Sequence, residues 1–316
     1  MIFGMSKSGQ DLRTTVDRFT IGQYYVAFYT SQATKRLADV ETLKHLGFDY
    51  ICTPCAAGDT ALFSLCQSLG MGIMVEYNDD AASVLSAASS YGVVFAHVSG
   101  DDVDINFANA AAFASTESTY QGYDTNLLTL CSTADSHNKA SEFAGTSDLY
   151  ASQVYPIDFE DFTAMEYHYV PAKSAAVSAN VPFLAHVQTC QLRSGGTNHR
   201  TPTVSEFNVM AWGAIQYGAD GILMYSAYDD VPNGGSPITI TDIFEITDAK
   251  MAYRGAMRNF ISEVRRYEHF FLRGTRSNSY DSNGIETTWA DAATGQTLRI
   301  VNDFSLETVT INVETT

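Results

Sequence analysis

The 316-residue sequence has no run of about 18 apolar residues, so no membrane-spanning helix is expected. Its first residues, MIFGMSKSGQDLRTTVDRF, show no apolar core of signal-peptide length. Basic residues are scarce: 18 Lys and Arg stand against 36 Asp and Glu, for a formal net charge of −18. A surface of that sign repels nucleic acid and anionic membranes, so neither is expected as a partner. It suits a neutral ligand or a saline setting, and solubility alone is the plainer account of it. The five cysteines, Cys52, Cys55, Cys66, Cys131 and Cys190, are odd in number and scattered, unlike a disulfide framework. Cys52-Thr-Pro-Cys55 has CxxC spacing, but no second CxxC or His pair completes a zinc site, and packed thiols are expected. Neither a dinucleotide-binding glycine fingerprint nor a P-loop occurs, and no cofactor is expected.

What is present is a core-forming pattern: 45% hydrophobic and 17% charged residues. Apolar strands are expected at Tyr24–Thr30, Phe48–Cys55, Gly72–Tyr77, Val93–Val98, Leu127–Ser132, Tyr150–Ile157, Pro182–Thr189 and Asp220–Tyr228. Helical spacing follows each of them, over Lys35–Leu46, Thr60–Leu69, Asp79–Ser90, Ile105–Glu117, Ser136–Ala144, Ala164–Ala179, Val204–Tyr217 and Asp248–Leu272. Asp59 and Thr203 read as caps. Eight such units in about 250 residues are the count of a (β/α)₈ TIM barrel, an α/β fold expected over 1–273. Residues 274–316 change texture, with short alternating strands at Gly284–Trp289, Thr297–Val301 and Glu307–Val313. They read as a small antiparallel β appendage packed on the barrel.

The stretch around which the chain is organised is Tyr91-Gly-Val-Val-Phe-Ala-His-Val-Ser-Gly-Asp-Asp-Val-Asp104. A buried-strand pattern runs straight into three carboxylates, and α/β enzymes keep their chemistry past the C-terminal ends of their strands. Side chains of a barrel strand alternate between lumen and helices, so polar residues of one parity mark the lumen. That rule sends Glu76, Asn78, Gln153, Tyr155, His186, Gln188 and Tyr225 inward. It also selects the parity of His97 and Ser99 and, on the first strand, Tyr25 and Tyr29. With Asp101, Asp102 and Asp158 in the loops, the rim becomes a set of carboxylates, amides and aromatic rings. Such a set bonds vicinal hydroxyls and packs on the apolar face of a sugar. With little Arg or Lys, it offers few countercharges to a phosphate or carboxylate. Glu76, His97 and His186 would bind a metal only if they converged, and orienting or packed histidines are expected instead.

Cleaving a glycosidic bond takes an acid for the leaving oxygen and a second carboxylate as nucleophile or base. Crowding at Asp101, Asp102 and Asp104 raises carboxyl pKa values, which makes Asp102, or Asp101, the expected acid. Glu76, one strand away, is the expected partner, and Asp158 is the reserve. Asp104 reads as a cap for Ile105–Glu117. No inward lysine is found for Schiff-base chemistry; Lys35, Lys139 and Lys173 fall in helices or loops.

The run Thr201-Pro-Thr-Val-Ser-Glu through Gly218-Ala-Asp-Gly-Ile-Leu-Met-Tyr-Ser226 resembles the seventh helix and eighth strand of (β/α)₈ glycoside hydrolases. The resemblance is to the group with an Asp-Glu-Pro-like motif after strand four. Gln188 and Tyr155-Pro156 match the ends of their seventh and sixth strands, and the tail from Gly295 resembles their C-terminal β-domain. The resemblance implies hydrolysis of a poly- or oligosaccharide without cofactor or metal, with Tyr29, Asn78, His97, Tyr155, Asp158, His186, Gln188 and Tyr225 binding substrate. An extracellular or cell-surface location would suit that activity. Asp101-Asp102-Val103 replaces Asp-Glu-Pro, and Gln153 stands where an acidic residue often precedes Tyr-Pro. These departures leave open a divergent hydrolase or a barrel that binds glycan without cutting it.

Overall fold

The protein is described by a computed structural model over residues 18–25, 33–76, 81–124, 126–194, 197–228, 243–244, 246–281 and 283–315. Its strands are β1 (Thr20–Tyr24), β2 (Tyr50–Thr53), β3 (Gly72–Val75), β4 (Val94–Gly100), β5 (Leu128–Thr133), β6 (Leu149–Val154) and β7 (Phe183–Gln188). A hairpin of β8 (Leu192–Ser194) and β9 (Thr197–His199) leads to β10 (Gly221–Tyr225). Strands β1 to β7 and β10 close into one barrel, with β10 against β1 and every pairing parallel. Helices α1 (Ala33–Leu46), α2 (Thr60–Leu69), α3 (Ala81–Ala88), α4 (Val103–Asn106), α5 (Ala110–Tyr123), α6 (Ser136–Phe143), α7 (Thr163–Ala179) and α8 (Val204–Gln216) occupy the crossovers. The last, α9 (Asp248–Arg273), follows β10. The expected (β/α)₈ barrel is what forms.

Alternation divides the apolar residues into two cores. Tyr24, Tyr50, Cys52, Met74, Val98, Leu130, Leu184 and Leu223 fill the lumen, so the barrel is a packed interior and not a pore. Ile21, Ile51, Ile73, Val75, Phe183, Val187 and Ile222 face the helices. All five cysteines are free and buried. The first strand begins earlier than its apolar pattern suggests. The paired residues are Thr20-Ile-Gly-Gln-Tyr24, in register with β2 and β10. Gly22 breaks the apolar run there because the Tyr50 ring fills the lumen at that point; a Cβ on Gly22 would lie 2.1 Å from it. The shift reverses the expected parity: Tyr24 points inward, and Tyr25 packs outward, its hydroxyl on Asp39 at 3.0 Å.

The single helix expected over Ile105–Glu117 is two. Asn109 interrupts it and caps α5, its side chain accepting from the Ala112 amide at 2.9 Å. Thr203 caps α8 as expected, in a capping box with Glu206. Asp59 stands before α2, but its carboxylate is turned onto the Ala56 amide and Arg36. The C-terminal sheet has four antiparallel strands in the order β11 (Thr275–Asp281), β12 (Gly284–Asp291), β13 (Gln296–Asp303) and β14 (Thr308–Thr315). Strand β11 escapes an alternation test because its residues are mostly exposed on both faces. Ile285, Trp289, Leu298 and Ile300 join the helix-facing core. Gln216 of α8 donates to the Ile285 and Ile300 carbonyls, both at 3.1 Å.

Candidate active site

The mouth of the barrel is built where the inward rows of β3 to β7 and β10 run out of apolar residues. At the end of β4 the backbone is tightly held, since a Cβ on Gly100 would fall 2.4 Å from Val103 and 2.6 Å from the Phe113 ring. That close approach of α4 and α5 aims Asp101 and Asp102 over the lumen. Asp102 adopts the left-handed region (φ 48°), which aspartate tolerates better than most residues.

Gln153, the last inward residue of β6, organises the two carboxylates. Its Nε2 donates to Asp101 Oδ1 and to Asp102 Oδ1, each at 2.7 Å. Ser132, the last inward residue of β5, also donates to Asp101. The Gln153 Oε1 accepts from Tyr155 Oη at 3.1 Å, and Tyr155 Oη lies 3.2 Å from His186 Nδ1. On the other side Tyr24 donates to Glu76, whose second oxygen is buried without a partner among the described residues. The Tyr225 ring lies between these groups, its centroid 4.9 Å from that of Tyr24 and 5.3 Å from that of Tyr155. Asp101, Asp102, Gln153, Tyr155 and Tyr225 line a pocket of about 390 Å³ whose outer wall is Phe159, Glu160, His168 and Leu192.

Burial sets the protonation of this site. It raises Asp101, against the opposing hydrogen bonds from Ser132, the Asp102 amide and Gln153. It raises Asp102 to about 6, with help from the charges of Asp101 and Asp104. Glu76 is pushed up to about 7 by burial, less the effect of the Tyr24 hydrogen bond and with a contribution from Asp101. His186 is held down to about 3 by burial, so it is a neutral ring at physiological pH.

Of the expected site residues, Asp101, Asp102, Tyr155 and Tyr225 line the pocket; Glu76 and His186 are not in its lining and lie behind it, Glu76 on the Tyr24 hydroxyl and His186 on that of Tyr155. Gln188 is fully buried, with Oε1 3.3 Å from the Ile157 amide and Nε2 3.3 Å from the Cys190 carbonyl. Asp158 is not among the residues lining the pocket. It bonds the Arg200 amide at 2.8 Å and pairs with its guanidinium, which also grips Glu206. Tyr29 and Asn78 lie outside the described residues. His97 and Ser99 correct the expectation. On β4 the inward residues are Ala96 and Val98, while His97 stacks on Tyr120 of α5 at 4.4 Å, buried on the helix side. The register shift between β4 and its neighbours masks that parity, and His97 does not join Glu76 and His186 as a ligand set. Asp104 caps no residue of α5; it accepts the Ala134 and Asp135 amides at 3.0 and 2.7 Å, just before α6.

Sequence reasoning missed Tyr24, Ser132, Phe159, Glu160 and His168. Ser132 had a signal, as the one polar end of the inward row Leu128, Leu130, Ser132. His168 had another, as a polar residue within the apolar face of α7.

No protein-family model matches the chain, and no curated protein sequence matches it. Solved structures share its fold. A GH2 β-galacturonidase from Eisenbergiella tayi bound to galacturonate superposes with a TM-score of 0.56 at 13% identity, covering 77% of this chain and 51% of its own. A β-D-glucuronidase of Dictyoglomus thermophilum gives 0.57 at 11%, covering 78% and 51%. A Ruminococcus gnavus β-glucuronidase in complex with D-glucaro-δ-lactam gives 0.55 at 12%, covering 77% and 50%. The chain thus spans about half the length of these glycoside hydrolases, and the likeness is one of fold.

Proposed function

We propose that the protein is a glycoside hydrolase that cleaves bonds in a poly- or oligosaccharide. Asp102 serves as proton donor and Glu76 as the second carboxylate, acting as nucleophile or base. The observation that carries this reading is the pocket itself. Two carboxylates tied to one amide open into a cavity walled by aromatic rings, and behind that lining a third carboxylate, Glu76, is near enough to feel the charge of Asp101. Asp101 supplies the like charge that helps Asp102 keep its proton. Tyr155, Tyr225 and Phe159 form the sugar-facing wall, and His186 sits behind it on the Tyr155 hydroxyl. The fold shared with glycosidases agrees with this chemistry, and the uronide specificity in those proteins' names is theirs.

Asp102→Asn tests it, because asparagine also tolerates the left-handed backbone at this position. If Asp102 protonates the leaving oxygen, the variant loses about 100-fold or more on unactivated glycosides. It loses little on 2,4-dinitrophenyl glycosides, which leave without protonation. An equal loss on both removes Asp102 from the donor role. One observation favours the second reading, a barrel that binds glycan without cleaving it. Glu76 has one oxygen under Tyr24 and the other sealed from solvent. Retained glycan binding with no turnover of any glycoside by the parent protein would establish that reading.

A further inference from the structure

The pocket wall carries negative charge and hydroxyl-binding groups, and no described lysine or arginine lines it. Asp101 and Asp102 stand at its inner end and Glu160 at its outer end. Arg200, in the loop before α8, has its guanidinium on Glu206 and Asp158. The imidazole in the wall, His168, is only 9% exposed, and its Nδ1 has no partner among the described residues. Burial holds that ring below the ordinary imidazole value, against the charges of Glu160, Asp135 and Asp104 and in concert with His137. A neutral imidazole carries no charge with which to pair a carboxylate. Beside it, Phe159 is stacked on His199 at 3.6 Å and presents a half-exposed ring to the pocket, a platform for the apolar face of a sugar.

We propose that this pocket takes an uncharged sugar and rejects the corresponding uronic acid. The inference rests on reading the barrel mouth as a carbohydrate site and adds the charge class of the ligand. With Asp102 protonated as the donor, the second carboxylate of the site is ionised, and a uronate carboxylate placed about 6 Å from one such charge, at an effective dielectric near 20, is disfavoured by about 100-fold.

The test is a matched panel of 4-nitrophenyl hexosides, glucuronides and galacturonides in both anomers. The expected result is a kcat/KM at least about 100-fold higher for a neutral glycoside than for its uronide. Glu160→Lys, at an exposed loop position, narrows that gap about tenfold by raising the uronide. A uronide cleaved as fast as its neutral partner or faster overturns the proposal, as does a gap that Glu160→Lys leaves unchanged. If no glycoside of either kind is cleaved, the hydrolase reading fails. Calorimetric titration with galacto-oligosaccharides, gluco-oligosaccharides and oligogalacturonates then decides the charge preference. Binding of neutral oligosaccharides alone upholds it; binding of the uronate, or of none, overturns it.

Discussion

Glu76 should make the protein less stable as the pH rises, and its replacement by glutamine should remove that dependence. Its carboxyl lies beneath Tyr24, with one oxygen buried and without a partner among the described residues, and burial moves its pKa from 4.5 to about 7. Each tenfold change in proton affinity corresponds to about 1.4 kcal/mol, so ionising Glu76 in the folded state costs about 3 kcal/mol more than in the unfolded chain. Because the folded value is the higher one, the associated stability is fully present below pH 4.5 and is lost as the pH rises through 7. Glu76→Gln keeps an acceptor for the Tyr24 hydroxyl and has no charge to bury. Urea unfolding should therefore find the variant about 3 kcal/mol more stable than the parent at pH 8.5. At pH 5 the advantage should shrink to about 1 kcal/mol. Other titrating groups are common to both proteins and cancel in the difference. An advantage of the same size at both pH values, or a variant less stable at pH 8.5, would refute the reasoning.

Hydrolysis should show a bell-shaped dependence of kcat/KM on pH, with limbs near 6 and 7 set by Asp102 and Glu76 as an interacting pair. A profile flat from pH 5 to 8 would exclude both from the rate. Gln153→Leu removes the amide that donates to both aspartates, so Asp102, the donor, should hold its proton to higher pH, and the whole profile should move upward by about half a pH unit or more. An unmoved profile would show that the amide does not govern the pair. Gly22→Ala forces a methyl group into the Tyr50 ring within the lumen and should destabilise the barrel by about 1–3 kcal/mol, read as a lowered urea midpoint. A midpoint equal to that of the parent would mean that the first strand is not where the register places it.

The barrel was legible because parallel strands covered on both faces are written as apolar runs, and each run here is followed by helical spacing. Parity on β3, β6, β7 and β10 located Glu76, Gln153, Tyr155, His186 and Tyr225 from the polar member of each alternating pair. It failed on β1 and β4. On β1, Gly22 leaves room for Tyr50 and interrupts the apolar pattern, so the pairing of Thr20–Tyr24 does not show in the sequence. On β4, His97 is a polar residue packed against the helix layer, and the irregular register removes the reference by which its face would be judged.

The outer half of the pocket was illegible for a different reason. Phe159 and Glu160 lie in the loop between β6 and α7, Leu192 in a hairpin, and His168 one turn into a helix, where no alternation relates them to the lumen. They meet because the backbone reverses past β6 at Asp158, which is in the left-handed region at φ 65°, and because Arg200 ties that residue to the loop before α8. Asp158, singled out from sequence as a reserve catalyst, is thus better explained as the clasp between two loops than as a participant in bond cleavage. Chemistry sits on the strand ends, where periodicity predicts it. The wall that would contact the rest of a glycan depends on long-range ion pairs, which a sequence pattern does not contain.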